Sequence, residues 1–226
     1  MTFSLAGICE RTGMAGIAVT SSSPAVAARC AHARESVGAA APQNVTDPRL
    51  GPALLDLMAS GEPADRAVAQ VAASAPHAEY RQLTAVDTAG GTGVWSGSET
   101  LGRHATAERR GAVAAGNLLA SADVPEAMVA AFASDPDGHL GDRLLAALMA
   151  GLGAGGEEGP VRSAGLLICQ REAWPVTDLR VDWDDQPIDR LHALWQVWKP
   201  QADAYVTRAL DPSAAPSYGV PRDLGR

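Results

Sequence analysis

Met1 and Thr2 open the chain, and they could carry chemistry at the end of a strand. The large apolar residues Phe3, Leu5 and Ile8 follow in a pattern typical of a half-buried β-strand. Removal of Met1, which the small side chain of Thr2 allows, would leave a hydroxyl and a free α-amine on one residue. An α-amine has a reference pKa of roughly 7.7–8.0, so it can accept the hydroxyl proton near physiological pH. The sequence therefore predicts that Thr2 is both nucleophile and base.

A nucleophile of this kind needs hydrogen-bond donors for the negative charge that develops on the attacked carbonyl. Candidate amides stand where predicted strands end, at Gln43 and at Asn117, and Ser22 lies at the end of the second predicted strand. An asparagine after glycine can equally form a turn, and Ser22 with its serine neighbours can equally form a solvated turn. Both alternatives stay open from the residues alone.

Composition excludes several classes of protein. The 226 residues carry a net charge of −8, and Lys199 is the single lysine, so the basic surface that nucleic acid requires is missing. No apolar run is long enough to cross a membrane, and no signal peptide is evident, so we expect a soluble cytoplasmic protein. The five histidines lack metal-ligand spacing, which predicts that no metal and no cofactor is bound. Three cysteines in apolar surroundings are predicted to be buried free thiols: Cys9, Cys30 and Cys169.

Strand and helix patterns alternate in groups along the chain. Strands are predicted at 2–9, 15–22, 82–87, 93–97, 111–116, 163–170 and 176–182. Two alanine-rich segments, 26–34 and 36–42, are predicted to be extended, with helix as the alternative. Helices are predicted at 48–60, 62–75, 123–134 and 140–150, and the glycine-rich segment 151–159 is predicted to be a mobile loop. Groups of strands between pairs of helices indicate an α+β fold, a four-layer αββα sandwich with two mainly antiparallel sheets.

A last helix begins at Pro187 and carries Trp195 and Trp198 on one face, and Pro200 should end or kink it. The tryptophan face is predicted to lie in the core or in a dimer interface, rather than to bind a cofactor. We therefore expect a homodimer or a higher homo-oligomer. The predicted organisation is a domain over 1–185, a C-terminal helix over 186–210 that packs on the domain or on a partner subunit, and an extended tail over 211–226.

Short motifs along nearly the whole chain occur in the order and spacing that are typical of a known family. They are Met1-Thr2-Phe3-Ser4, Gly16-Ile17-Ala18-Val19 with the serines that follow, Ala25-Val26, Val37-Gly38-Ala39, Gly51-Pro52 with Leu54-Leu55-Asp56-Leu57, Tyr80-Arg81-Gln82-Leu83, Gly116-Asn117-Leu118-Leu119, Ser163-Ala164 and Tyr218-Gly219-Val220-Pro221. With them the sequence resembles the bacterial proteins of the domain of unknown function 1028, which are assigned to the N-terminal nucleophile (Ntn) hydrolase-like fold.

The resemblance implies the αββα fold with Thr2 as nucleophile. It also implies that Gln43 and Asn117 contact the oxyanion or the substrate, and that Arg81 binds a substrate carboxylate or forms a structural ion pair. The leading hypothesis is an amidohydrolase that cleaves a C–N amide bond of a small nitrogenous metabolite through a threonyl acyl-enzyme. One alternative is a non-catalytic ligand-binding or assembly protein on the same fold, and another is a hydrolase whose nucleophile is Ser21 or Ser22.

Overall fold

The structure is a computed structural model that describes residues 1–217. It contains two antiparallel sheets that face each other, with helices on the outer side of each sheet. The predicted α+β fold with layered helices and sheets is therefore confirmed. The last part of the predicted tail, with the motif Tyr218-Gly219-Val220-Pro221, lies outside the described residues.

Ten strands form the two sheets. In chain order they are β1 (Thr2–Cys9), β2 (Met14–Ser21), β3 (His32–Arg34), β4 (Gly38–Asn44), β5 (Arg81–Asp87), β6 (Thr92–Ser96), β7 (Ala105–Arg109), β8 (Ala112–Asn117), β9 (Ser163–Cys169) and β10 (Thr177–Val181). The larger sheet has the order β10-β9-β2-β1-β8-β7, and the smaller sheet has the order β3-β4-β5-β6. The N-terminal strand therefore lies in the middle of the larger sheet.

Seven α-helices complete the described part of the chain. They are α1 (Ala27–Cys30), α2 (Leu50–Ala59), α3 (Ala64–Ser74), α4 (Val124–Ala133), α5 (Leu140–Gly153), α6 (Pro187–Trp198) and α7 (Ala202–Leu210). The pair α2 and α3 packs on the smaller sheet, and the pair α4 and α5 packs on the larger one. A 3-10 turn over Lys199–Gln201 separates α6 from α7, at the proline predicted to interrupt the helix.

The structure differs from the sequence predictions in three places. The segment 26–34 is not extended throughout, because α1 occupies Ala27–Cys30 before the short strand β3. The edge strand β7 was not predicted, since its sequence ATAER carries little apolar pattern and most of it is exposed. The segment 151–159 is not a loop throughout, because α5 continues to Gly153 and Glu157 is buried in a β-bridge with Leu119.

Apolar side chains fill the space between each pair of layers. One cluster lies between the larger sheet and α4, α5 and α6, one lies between the smaller sheet and α2 and α3, and a third lies between the sheets. All eight residues of β1 are buried, which holds the start of the chain firmly in place. Cys9, Cys30 and Cys169 are buried and free, as predicted. Among residues 1–217 no helix has the length and apolar character needed to cross a membrane.

The tryptophan face of α6 packs on the protein's own core. Trp195 is 1% exposed, and its indole N–H donates to Oδ1 of Asp142 on α5 at 2.7 Å. Trp198 stacks on Tyr205 and donates to Oγ1 of Thr177 at 3.0 Å. Of the two predicted roles for this face, the structure supports the core. The prediction of a homo-oligomer therefore no longer draws support from Trp195.

Replacement of Trp195 by alanine should reduce the free energy of unfolding by about 3–5 kcal/mol. The variant would leave a cavity against Gly141, where the indole ring leaves no room for a side chain, and would remove a donor from Asp142. Urea denaturation checks the value. Trp183, which is 61% exposed, is the matched control, and its replacement by alanine should cost less than about 1 kcal/mol. Equal losses in the two variants would contradict this account of the core.

Candidate active site

Thr2 is the first residue of a strand that has neighbours on both sides. It is the register partner of Asn117, the last residue of β8, and its side chain approaches Ser21, the last residue of β2. The two neighbouring strands thus end beside the start of β1, because both run antiparallel to it. Thr2 is 5% exposed, and Ser21 and Asn117 are fully buried. The topology gathers three polar side chains at one end of the sheet.

Two hydroxyls converge on the carbonyl oxygen of Met1. Oγ1 of Thr2 lies 2.5 Å from that oxygen and 3.3 Å from Oγ of Ser21. The Ser21 hydroxyl also donates to the Met1 carbonyl, and it accepts a hydrogen bond from the backbone N–H of Ser23 at 3.0 Å. Hydrogen-bond donors at a carbonyl oxygen polarise the carbonyl and favour attack on its carbon. The Thr2 and Ser21 hydroxyls therefore both lie at the oxygen of the carbonyl next to Thr2, which they polarise.

Asn117 belongs to a buried amide network between the two sheets. Its Nδ2 donates to Oε1 of Gln82 at 3.2 Å, and Nε2 of Gln82 donates to the carbonyl of Gly116 at 3.2 Å and to Oγ of Ser96 at 3.1 Å. The carbonyl of Gly116 accepts only, so Gln82 must present its oxygen to Asn117. That orientation fixes Nδ2 of Asn117 as a donor. One of its two hydrogens is engaged by Gln82, and the second has no hydrogen-bond partner within residues 1–217, nor has the buried Oδ1 of Asn117.

Gln43 lies deeper in the same network. Its Oε1 accepts from the Ser4 hydroxyl at 2.6 Å, and its Nε2 donates to Oε1 of Gln82 at 2.8 Å. Gln43 is fully buried, and both ends of its amide are engaged. The structure thus links it to Asn117 through Gln82. This geometry suits a residue that positions Gln82 and Asn117 rather than one that contacts a substrate.

A sharp turn after Asn117 brings a second chain segment to the site. Leu118 has a φ of 49°, in the left-handed region that bulky residues rarely adopt, and the turn directs Leu119 into a β-bridge with Glu157. The bridge consists of two hydrogen bonds, from the N–H of Glu158 to the Leu118 carbonyl at 2.9 Å and from the N–H of Ala120 to the Gly156 carbonyl at 3.0 Å. Backbone strain of this kind is concentrated at functional sites.

Glu157 is a candidate that sequence analysis missed. It is 5% exposed, and its Oε2 accepts the backbone N–H of Ser22 at 3.2 Å, next to Ser21. Its Oε1 is buried and has no hydrogen-bond partner within residues 1–217. Burial raises the pKa of this carboxyl to about 7, although the nearby positive charge of the N-terminal amine acts in the opposite direction. The local sequence carries no signal for this, because the bridge to Leu119 joins distant parts of the chain.

The raised pKa of Glu157 predicts how the stability of the folded chain depends on pH. Between pH 4.5 and about pH 7 the carboxyl is protonated in the folded chain and ionised in the unfolded one, so its contribution to stability falls as the pH rises. Glu157→Gln removes that loss. The quantity to compare is the free energy of unfolding of the variant minus that of wild type at the same pH. This difference should therefore be about 3 kcal/mol more positive at pH 8 than at pH 4. Urea denaturation at both pH values measures it.

The control for this measurement is Glu158→Gln, which changes the exposed carboxylate next along the chain. Its stability relative to wild type should differ by less than about 0.5 kcal/mol between the two pH values. If Glu157→Gln showed an equally small difference between the two pH values, ionisation of the buried carboxyl would cost no stability, which would contradict the prediction.

The other two predicted site residues are placed differently. Ser22 adjoins the site: its backbone N–H donates to Oε2 of Glu157 at 3.2 Å, and its side chain lies close enough to the carboxyl to help lower the pKa of Glu157. Arg81 begins β5 beside Gln82 and donates to the carbonyl of Val45, and none of its hydrogen bonds within residues 1–217 reaches Thr2. The pKa of Asp47 is lowered to about 2, mainly by its hydrogen bond from Arg49, and the positive charge of Arg81 acts in the same direction. The structure thus brings Thr2, Asn117 and the Ser22 backbone together and leaves Arg81 apart.

These features define a layered α+β sandwich whose first strand begins in a buried polar site. A family model described as "Family of unknown function (DUF1028)" matches residues 2–191. The chain belongs to this family. Its fold is also similar to the crystal structure of a Silicibacter pomeroyi protein assigned to the same family model, with a TM-score of 0.80 and 31% identity over 87% of this chain and 88% of that one. A search of curated proteins found no match.

Proposed function

We propose that this protein is an N-terminal-threonine amidohydrolase of the Ntn type, which cleaves a C–N amide bond in a small nitrogenous metabolite. One observation carries the proposal: the Thr2 hydroxyl contacts the carbonyl of the residue before it, inside a buried polar site at the start of a central strand. A hydroxyl in that position can act on a carbonyl bound in the same place. The polar groups of Ser21 and Asn117 support the proposal because both lie beside Thr2.

The proposed reaction begins with removal of Met1, which frees the α-amine of Thr2. This amine takes the hydroxyl proton, directly or through a water, while Oγ1 attacks the substrate carbonyl carbon. Donation from Ser21 Oγ and from the second Nδ2 hydrogen of Asn117 stabilises the oxyanion. The amine then gives its proton to the leaving nitrogen, and the C–N bond breaks. Water hydrolyses the resulting ester, which releases the acid and restores the threonine.

The burial of the site supports this mechanism on electrostatic grounds. Thr2, Ser21 and Asn117 are almost fully shielded from solvent, so hydrogen bonds to a developing charge act there with little screening by water. The β-branch of threonine also restricts its χ1 angle, which limits where the hydroxyl can point. The side chain and its donors are therefore largely preorganised before a substrate binds.

Intact-mass measurement on the purified full-length protein, before and after incubation with an electrophilic β-lactone, tests the proposal. The expected result is a chain without Met1 that gains a single adduct. A chain that keeps Met1 and gains no adduct would contradict it, because an acylated amine has no basicity. That outcome would favour the non-catalytic ligand-binding or assembly protein instead.

A further inference from the structure

A cleft of about 430 Å³ opens at the end of the larger sheet that lies opposite the candidate active site. Ile8 and Cys9, the last residues of β1, line this cleft, whereas Thr2 is the first residue of that strand. Eight residues of extended chain place the two ends of β1 about 23 Å apart. The cleft is therefore a separate place in the fold, and what it binds does not depend on the proposed function of Thr2.

The charge of this cleft is opposite to that of the whole chain. Four arginines line it, and they are Arg11, Arg109, Arg110 and Arg143. The carboxylates of Glu10 and Asp137 lie among them, so the lining has a net charge of +2. The chain as a whole has a net charge of −8. A concave basic surface on an acidic protein attracts anions to that one place.

Carboxylates of the protein neutralise little of this positive charge. Arg110 is paired with Glu10, whose Oε1 lies 3.0 Å from Nη2 and 3.1 Å from Nε of the arginine. The side chain of Arg109, at the end of the edge strand β7, forms no hydrogen bond and no ion pair within residues 1–217. Its guanidinium is therefore available to a ligand in the cleft.

Uncharged groups hold the other two arginines in place. Nη2 of Arg11 donates to the backbone carbonyl of Asp137 at 2.9 Å. Nε of Arg143 donates to the carbonyl of Phe132 at 3.0 Å, and its guanidinium lies 3.9 Å from the centroid of the Phe132 ring. Each guanidinium has five N–H donors, of which the hydrogen bond to a carbonyl uses one. These contacts thus orient both guanidinium groups without neutralising their charges.

The position of Arg143 adds a reason for an anion to bind. This side chain is half-buried, and burial lowers the pKa of its guanidinium. A charge that is partly removed from water is costly unless a counterion accompanies it. The planar guanidinium matches the paired oxygens of phosphate and carboxylate groups. An anion with two charges would balance the lining, and a cleft of this volume suits a small metabolite.

We propose that this cleft binds a small dianionic metabolite, whose phosphate group or pair of carboxylates is held by Arg11, Arg109 and Arg143. The ligand lies against the last residues of β1 and the turn between β7 and β8, away from Thr2. Arg109 supplies the clearest test of the site, because its guanidinium has no structural contact that a substitution would break.

Binding of simple anions to the full-length protein tests the inference. Inorganic phosphate, succinate and acetate are titrated separately at pH 8, where the first two are dianions, and binding is followed by NMR. We expect phosphate, succinate or both to bind with a dissociation constant below about 1 mM, and at least about tenfold more tightly than acetate. Binding of one dianion and not the other would support the inference and identify the anionic group of the ligand.

Arg109→Gln should weaken the binding of the dianion by about tenfold or more, because it removes charged donors from the cleft. Arg66→Gln is the matched control, since it removes the same charge from an exposed position on α3, which packs on the other sheet. This control should change the affinity by less than about threefold. Failure of both dianions to bind, equal affinity for acetate, or equal effects of the two substitutions would each overturn the inference.

Discussion

Replacement of Thr2 by alanine is expected to lower amide hydrolysis by at least about a thousandfold and to abolish labelling by a β-lactone. The reason is chemical rather than structural. The Thr2 hydroxyl is the proposed nucleophile, and its removal leaves the α-amine without a proton to accept. Turnover of a small amide substrate and the mass of the labelled protein measure the two effects.

The alanine variant is well matched to wild type. Alanine is also small, so Met1 can be removed from both chains, and the strand positions on either side of residue 2 are unchanged. Thr2→Ser should keep both hydrolysis and labelling, because it retains the hydroxyl. Undiminished activity in Thr2→Ala would contradict the account and would indicate that Ser21 or Ser22 is the nucleophile.

Replacement of Asn117 by alanine should reduce the rate of acylation by about a hundredfold to a thousandfold, the usual effect of losing one oxyanion donor. Nδ2 of Asn117 is fixed as a donor by Gln82, next to Thr2 in the sheet. The loss should appear in kcat, with KM changed little, because the oxyanion forms only as the carbonyl is attacked. Steady-state kinetics on a single amide substrate separates the two parameters.

Ser96→Ala is the control for Asn117. It removes a hydroxyl that Gln82 contacts on the far side of the same network, so it perturbs the network without touching Thr2. Its kcat should stay within about threefold of wild type. Comparable losses of kcat in the two variants would show that Asn117 acts through the network's stability and not as a donor to the oxyanion.

The sequence predicts the layers of this fold well because the relevant patterns are local. The first hairpin, both helix pairs and the strands around Val86 and Leu166 all lie close to their predicted positions. Burial of Thr2 could not be anticipated from the half-buried pattern, because Thr2 and Phe3 point to opposite faces of β1 and the structure buries both faces. Local pattern is weaker where elements are short or exposed. For that reason β7 was not predicted, and helix was only the alternative for the segment that contains α1.

The geometry of the candidate site depends on pairings that a single sequence does not encode locally. Thr2 meets Asn117 because β1 pairs with a strand more than a hundred residues away, and such non-local pairings leave no periodic signal. Sequence analysis missed Glu157 because it lies in a glycine-rich segment, which is typical of a loop. Gly155 and Gly156 instead adopt positive φ values, which allow the turn that places Glu157 in its bridge to Leu119.

Arg81 and Gln43 show the limit of the resemblance to a family. The motif around Arg81 is present, yet its guanidinium binds the carbonyl of Val45 instead of approaching Thr2. Gln43 reaches the site only through Gln82. A family motif therefore locates a residue in the fold, while its contacts decide whether it can take part in the reaction.

Peptide mapping of the β-lactone adduct tests the central claim most directly. The wild-type protein is labelled, digested and analysed by tandem mass spectrometry, with Thr2→Ala treated in parallel. The account predicts an adduct on the side chain of Thr2, at the first position of a chain that lacks Met1, and no adduct on the variant. An adduct on Ser21 or Ser22, or an unlabelled chain that retains Met1, would contradict it.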